Sequence, residues 1–337
     1  MKLFRFLLFP FAILYNIVTT IRNLLFDVGF FKENSFKTPV IVVGNLSVGG
    51  TGKTPQIEYL IRLLSSNYKI AVLSRGYKRK TSGFIEVNPT HTAEEVGDEP
   101  LQFFKKFKNI SVAVCADRVE GIQSLKKNIN PQIVLLDDAF QHRSVRGSVS
   151  ILLTKYSDLF IDDYLIPTGN LRESRSGAKR ATAIVVTKCP YDFSVSAQKV
   201  IKNRLEKYKK KVFFTSISYA SKTKGAYEIS IEDLQNYEVL LVTGIANPSS
   251  MLSFLSAKNI QFKHLKFSDH HHFSSNDIRT ITQSYQQLKG EKKVVVTTEK
   301  DFVRLQNRLS HLVYLEIETA FLNNTASDFN TLVTKLL

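Results

Sequence analysis

Lys53 and Thr54 close a glycine-rich run, Gly44-Asn45-Leu46-Ser47-Val48-Gly49-Gly50-Thr51-Gly52-Lys53-Thr54-Pro55, whose residue types suit the binding of a nucleotide by its phosphates. Gly49, Gly50 and Gly52 let the backbone curl, so that amides across Ser47, Val48 and Thr51 point inward at phosphate oxygens. Lys53 brings a charge for the β- and γ-phosphates, and the Thr54 hydroxyl is suited to Mg²⁺. The strict spacing G-x-x-x-x-G-K-[ST] is missed once, because Ser47 stands where the first glycine belongs. The apolar run PVIVVGN before the loop and the segment KTPQIEYLIRLLSSN after it read as a strand and a helix, whose positive end faces the anion. A glycine-rich turn that only capped a helix would not need Lys53 and Thr54 together.

Phosphoryl transfer also needs acids around a metal, and PQIVLLDDAFQHR offers Asp137 and Asp138 at the carboxyl end of an apolar run. One of the pair can meet Mg²⁺ directly or through water; a helix-capping aspartate is the plainer alternative. Gly97-Asp98-Glu99-Pro100 opens the helix PLQFFKK, where a carboxylate either caps or positions an attacking hydroxyl and takes its proton, and both readings stand. In Phe267-Ser268-Asp269-His270-His271-His272-Phe273 the three histidines do not share a helical face, which argues against a three-His zinc site. Surface histidines are the ordinary reading, yet Asp269 beside His270 resembles a pair in which a carboxylate orients an imidazole. Arg75, Arg118 and the stretch LRESRSGAKR, with Arg172, Arg175, Lys179 and Arg180, suit either phosphate or solvent. Thr187-Lys188-Cys189-Pro190 follows a strand where related nucleotide folds contact the base, and Thr297-Thr298-Glu299-Lys300-Asp301 recurs in a similar position.

These residues require a buried sheet to align them. PVIVVGN, KIAVLSRG, ISVAVCADR, PQIVLLDDAF, VSILLTK and ATAIVVTKCP read as parallel strands separated by amphipathic helices, one of which carries Ile57, Leu60, Ile61 and Leu64 on one face. The expected fold is a doubly wound, mostly parallel α/β sheet of the P-loop NTPase class over residues 31–211, then an extended linker over 212–235 and a smaller α/β domain over 236–337. At 43% hydrophobic and 23% charged the composition is that of a folded chain and excludes a mainly disordered or coiled-coil protein. Cys115 and Cys189 are too few for a disulfide framework or a cysteine zinc site. The 46 Lys and Arg against 30 Asp and Glu, a net charge of +16, point to anionic partners. Residues 1–30 form a hydrophobic helix whose uncharged stretch, 6–21, lies between Arg5 and Arg22 and contains Pro10, Asn16, Thr19 and Thr20. It reads as a segment lying in a membrane interface, its flanking cations suited to anionic headgroups, with packing on the protein's own core as the alternative. No interleaved aromatic and basic motif of the RNA-binding kind is present, so nucleic acid is not an expected partner.

With VGNLSVGGTGKTP, SRGY, GDEP, ADR, LLDDAFQHR, GNLRES, TKCP, FSDHHHF and TTEKD in this order, the chain resembles the tetraacyldisaccharide 4'-kinases, the lipid A 4'-kinases, to about residue 305. That family's own loop has the form SVGG-x-GKT, so Ser47 fits it. The resemblance implies ATP and Mg²⁺, and transfer of the γ-phosphate to the 4'-hydroxyl of a tetraacyldisaccharide 1-phosphate. It implies an enzyme held peripherally or monotopically at the cytoplasmic face of a Gram-negative inner membrane; a monomer is expected, though nothing in the sequence sets the oligomeric state. It also implies that Asp98 is the catalytic carboxylate, that Asp269 orients His270 as its partner, and that Lys53 and Thr54 keep their loop roles. Glu99, Asp137 and Asp138 become metal-side acids; Arg118 and Gln141 fall near the phosphates, and Asn170, Arg172 and Glu173 toward the acceptor. The competing expectation is a membrane-associated P-loop switch or metallochaperone.

Overall fold

The computed structural model describes residues 5–269 and 271–337. Its strands are β1 (Val40–Asn45), β2 (Ile70–Ser74), β3 (Ile85–Glu86), β4 (Ser111–Val114), β5 (Ile133–Asp137), β6 (Val149–Lys155), β7 (Ala183–Thr187), β8 (Lys211–Tyr219), β9 (Lys224–Gly225), β10 (Glu238–Thr243), β11 (Phe262–Lys266), β12 (Lys293–Thr298), β13 (Leu312–Leu315) and β14 (Ile317–Phe321). The α-helices are α1 (Phe9–Asp27), α2 (Lys53–Leu64), α3 (Ala93–Val96), α4 (Asp98–Lys106), α5 (Arg118–Asn128), α6 (Val195–Leu205), α7 (Ser249–Ala257), α8 (Ser275–Gln286), α9 (Glu299–Leu305) and α10 (Ala326–Thr334).

A nine-stranded sheet runs in the order β14-β8-β7-β6-β1-β5-β2-β4-β3. Every residue of β1, β2, β5 and β7 is buried, as expected of parallel strands covered on both faces. β1 pairs in parallel with β5 and β6, which places Val43 beside Asp137 and Asn45 beside Leu153. The carboxyl ends of β1, β5, β6 and β7 therefore share one edge, and the chain changes sides of β1 between β5 and β6, the arrangement at which open α/β sheets take their ligands. The predicted face of α2 is buried, with Ile57, Leu60 and Ile61 at 0% exposure.

The chain divides into two compact units, one reaching to Ile217 and resuming at Thr319–Leu337, the other Ser218–Glu318. This differs from the sequence division at 212–235 and 236–337. β8 is a strand of the large sheet for most of its length, and residues 319–337 return to the first unit. The physical reason is aromatic: Phe329, fully buried on α10, meets Phe213 of β8 at 5.3 Å, Phe321 of β14 at 4.6 Å and Tyr59 of α2 at 5.9 Å between ring centroids. Tyr59 also donates its hydroxyl to Asn330 Oδ1 at 2.8 Å. The second unit is a five-stranded sheet in the order β11-β10-β12-β13-β9, parallel except where β9 pairs with β13.

α1 is long and apolar enough to cross a membrane by length and composition, with a mean hydropathy of 1.3 and 6% of that span buried. Polar groups tie it to the first unit: Arg5 Nε donates to the Pro167 carbonyl at 2.9 Å, the Tyr15 hydroxyl to the Arg172 carbonyl at 2.8 Å, and Asn23 Nδ2 to Glu173 Oε2 at 3.1 Å. Phe11, Leu14, Ile17, Val18 and Ile21 remain exposed.

Replacing Phe329 with alanine is expected to destabilise the first unit by about 3 to 5 kcal/mol, because a buried ring is lost and a cavity left. Urea unfolding followed by tyrosine fluorescence reads this; an unchanged midpoint would detach residues 319–337 from that core.

Candidate active site

The loop between β1 and α2 needs left-handed backbone at two places, and Gly49 (φ +102°) and Gly52 (φ +85°) supply it, Gly52 acting as the N-cap of α2. Three bonds hold the loop from outside. Val48 N–H donates to the Asn170 carbonyl at 2.8 Å, Arg172 N–H to the Leu46 carbonyl at 2.7 Å, and the Thr187 hydroxyl at the end of β7 to the Thr51 carbonyl at 2.7 Å. Ser47 is buried and bridges to Leu171. The loop is thus braced by its neighbours, with Lys53 and Thr54 at the first turn of α2.

Asp137 ends β5 and is buried; Ser74 at the end of β2 donates its hydroxyl to Asp137 Oδ2 at 3.1 Å. Burial, together with the nearby Glu99 and Asp138 carboxylates, pushes Asp137 up to about 7, against the opposing pull of Lys53 and the Ser74 hydrogen bond. Asp138 adopts φ +47° and faces Lys53 Nζ at 3.7 Å, while Arg172 donates to it through Nη1 at 3.3 Å and Nη2 at 2.8 Å. Burial acts to raise this carboxyl too, but Lys53 and Arg172 outweigh it and hold Asp138 below the usual carboxylate range. The two neighbouring acids are so driven apart in charge.

Gly97, not Asp98, takes the cap position of α4; Asp98 is its first residue and Glu99 its second. Glu99 Oε1 accepts the Thr54 hydroxyl at 3.3 Å, which brings the GDEP motif against the loop. Among the described residues Asp137 Oδ1 is buried without a hydrogen-bond partner, as a cation-ligating oxygen would be. With Thr54 and Glu99 it makes a donor set of oxygens alone, which fits a hard divalent ion such as Mg²⁺.

Arg118 is fully buried at the start of α5 and donates to the carbonyls of Cys115 at 2.7 Å, Ala116 at 3.2 Å and Asp137 at 3.3 Å. It therefore ties the chain after β4 to the end of β5. Gln141 Nε2 donates to the Asn45 carbonyl at 2.8 Å and to Glu173 Oε1 at 3.0 Å, and Glu173 accepts Arg180 through both oxygens at 2.8 Å. Gln141, Asn170, Arg172 and Glu173 are thus brought together behind the loop. Sequence reasoning missed Asn45, whose Oδ1 accepts Arg172 and whose Nδ2 donates to the Ser47 carbonyl at 2.6 Å, and it missed Ser74. Each is a polar residue ending an apolar strand, and that pattern is the signal for both.

In the second unit Asp269 is exposed, and His270 lies outside the described residues. Its neighbour His271 is engaged by Asp277 Oδ2 at 3.1 Å and by the Ser268 hydroxyl at 3.2 Å, and Arg304 Nη1 donates to the His271 carbonyl at 2.9 Å. The TTEKD motif serves this unit internally: buried Asp301 accepts the Gly244 N–H and the Thr298 hydroxyl, each at 2.8 Å.

The profile of the family described as Tetraacyldisaccharide-1-P 4'-kinase matches residues 4–337. The chain belongs to the tetraacyldisaccharide 4'-kinase family. A family member from Flavobacterium psychrophilum is 55% identical over 331 residues, covering 96% of this chain and 94% of that protein. One from Flavobacterium johnsoniae is 51% identical over 329 residues, covering 96% and 95%. Among solved structures, LpxK from Aquifex aeolicus in complex with ATP superposes with a TM-score of 0.80 at 30% identity over 99% of each chain.

The charge state of Asp137 gives this kinase-family chain a pH signature. Its carboxyl is raised from 3.8 to about 7 on folding, so the folded state holds the extra proton between those values and stability falls as pH rises through that window. In metal-free buffer the melting temperature is expected to drop from pH 5 to pH 8, and Asp137→Asn to flatten the drop and melt higher at pH 8. Parallel wild-type and variant curves would assign the burial penalty elsewhere.

Proposed function

We propose that residues 47–54 bind ATP and that the enzyme transfers its γ-phosphate to the 4'-hydroxyl of tetraacyldisaccharide 1-phosphate, forming the 4'-phosphorylated lipid A precursor, lipid IVA. The observation that carries this is the convergence of Lys53, Thr54, Glu99, Asp137 and Asp138 on one braced loop at the sheet's carboxyl edge, in a chain of this family. In the reaction the acceptor oxygen forms a bond to the γ-phosphorus as the bond to the ADP oxygen breaks, and the hydroxyl proton passes to a base. Asp98 is the residue suited to that base, one position from Glu99 and hence close to the loop; Asp269 and His270 are its proposed partners. Lys53 neutralises charge gathering on the transferred group, and the loop amides other than those of Val48 and Thr51, which already donate to protein carbonyls, orient the phosphates. Thr54, Glu99 and Asp137 would hold Mg²⁺, whose chemistry is to screen the β- and γ-oxygens. Asp138, kept charged, positions Lys53 rather than moving a proton. Gln141, Asn170, Arg172 and Glu173 keep the loop in place, and Arg118 acts through the backbone of Asp137.

The same proposal puts the enzyme on the cytoplasmic face of the inner membrane, as a monomer whose exposed α1 face enters the lipid interface. A tetraacylated acceptor stays in a bilayer, so an apolar helix tied to the loop's own scaffold supports this reading. The switch or metallochaperone alternative gains nothing from His271, whose two ring nitrogens already face Ser268 and Asp277.

Transfer of labelled γ-phosphate to the acceptor in mixed micelles, against a no-lipid control, tests the activity. Asp98→Ala is expected to cut turnover by about 100-fold to 10,000-fold with the KM for ATP little changed, and Lys53→Ala to lose both ATP affinity and rate. Acceptor-independent phosphate release without lipid product would return the switch reading. For the membrane, glutamate at Leu14, Ile17 and Ile21 together should abolish sedimentation with anionic vesicles while leaving the melting temperature in place; sedimentation equal to wild type would move the attachment elsewhere.

A further inference from the structure

Three parallel strands deliver three lysines to the loop's edge. Lys53 starts the helix after β1, Lys155 is the last residue of β6, and Lys188 directly follows β7. Lys53 faces Asp138 at 3.7 Å, and Lys155 faces Asp158 at 3.4 Å. Among the described residues no acceptor engages the Lys188 ammonium. That ammonium lies at the loop: a Cβ built on Gly50 would sit 3.8 Å from Lys188 Nζ.

The backbone is built to send it there. Thr187 is fixed to the loop through its hydroxyl, and the Cys189 N–H donates to the Thr215 carbonyl at 2.9 Å. Between these two fixed neighbours Lys188 adopts φ +57°, a left-handed conformation that costs a lysine energy and that glycine or asparagine would take more readily. We propose that Lys188 is a second phosphate-binding lysine of the loop, engaging the terminal phosphates of a bound nucleoside triphosphate from the side opposite the start of α2. This rests on the reading of residues 47–54 as the nucleotide loop. It replaces the sequence expectation of a base contact at Thr187–Pro190, because the ammonium lies beside Gly50 of the phosphate loop. Although Lys188 as a residue is exposed, protein crowds its ammonium, and that loss of solvent, then Lys155 and Lys53, pulls the group below the ordinary lysine range. An anion at the loop offsets that repulsion, so a ligand with several negative charges is favoured beside these cations.

Binding of ATP, ADP and AMP to the full chain, measured by calorimetry in wild type, Lys188→Ala, Lys188→Gly, Lys188→Arg and Lys53→Ala, tests this. Lys188→Ala is expected to weaken ATP by roughly tenfold to a hundredfold, ADP by less, and AMP by no more than about twofold. Lys188→Gly should show the same pattern although it relieves the backbone, and Lys188→Arg should recover most of the ATP affinity. Equal losses for all three nucleotides, unchanged ATP affinity in Lys188→Ala, or wild-type affinity in Lys188→Gly would each overturn the assignment. Unchanged ATP affinity in Lys53→Ala would remove the nucleotide from this loop altogether, and both readings with it. A normal Lys53 effect beside a silent Lys188 sinks this inference alone.

Discussion

Asp138 carries its charge between two cations, Lys53 at 3.7 Å and the forked guanidinium of Arg172 at 3.3 and 2.8 Å, and the surrounding edge of the sheet is organised by that contact. Asp138 takes a left-handed backbone, and the two acids at the end of one strand meet different partners. One sees cations and stays ionised; the other sees burial and two more carboxylates and holds its proton until near neutrality. Two adjacent carboxylates would otherwise repel at the mouth of a site meant for a polyanion. The Lys53 ammonium is also kept near the loop before any phosphate arrives, and a contact of 3.7 Å is loose enough for a phosphate oxygen to take its place.

Arg172 can serve Asp138 only because it is held from behind. Its N–H reaches the Leu46 carbonyl, its guanidinium reaches Asn45, and its own carbonyl accepts Tyr15 from α1. Next along the chain, Glu173 gathers Arg180, Gln141 and Asn23 on one buried carboxylate. A buried acid with a single cation would be costly, and the added amide donors satisfy the oxygens that the ion pair leaves over. The bracing engages the Val48 N–H with the Asn170 carbonyl, and the Thr51 N–H turns back to the Gly49 carbonyl, so contrary to the sequence expectation for those two amides a phosphate cradle falls to the other amides of the loop.

The parts of this site that are legible in the sequence are those whose chemistry is local. Lys53 and Thr54 sit beside the glycines that position them, and Asp137 and Asp138 directly end an apolar run. The face of α2 follows a helical period, so spacing alone assigns Ile57, Leu60 and Ile61 to the core. Arg118 is legible as a cation but not as a buried one, because its partners are backbone carbonyls at the ends of two strands. The return of residues 319–337 is not legible, since α10 has no motif and its partners Tyr59 and Phe213 lie far away in the chain. Asn45, Ser74 and Thr187 are ordinary polar residues whose meaning depends on the strand order that places their ends together. The roles of Asp98, Asp269 and His270 come from resemblance and not from spacing.

One short stretch of chain links the two surfaces a lipid kinase needs. Residues 167–173 accept Arg5 and Tyr15 through the carbonyls of Pro167 and Arg172, and accept Asn23 through the Glu173 side chain, so the chain just ahead of the apolar helix and two points along the helix are tied to it. From the same stretch the Asn170 carbonyl takes the Val48 N–H and Arg172 donates to Leu46, so it also braces the phosphate loop. Asp163 in turn accepts the Asn170 N–H and keeps the stretch from opening. An acceptor anchored by four acyl chains can present its hydroxyl only at a set height above the bilayer. With α1 in that bilayer, as proposed, a phosphate loop fixed to it through one segment would be held at a matching height, which gives a mechanical reason for an apolar helix to be tied by polar side chains at several points rather than joined by a flexible tether.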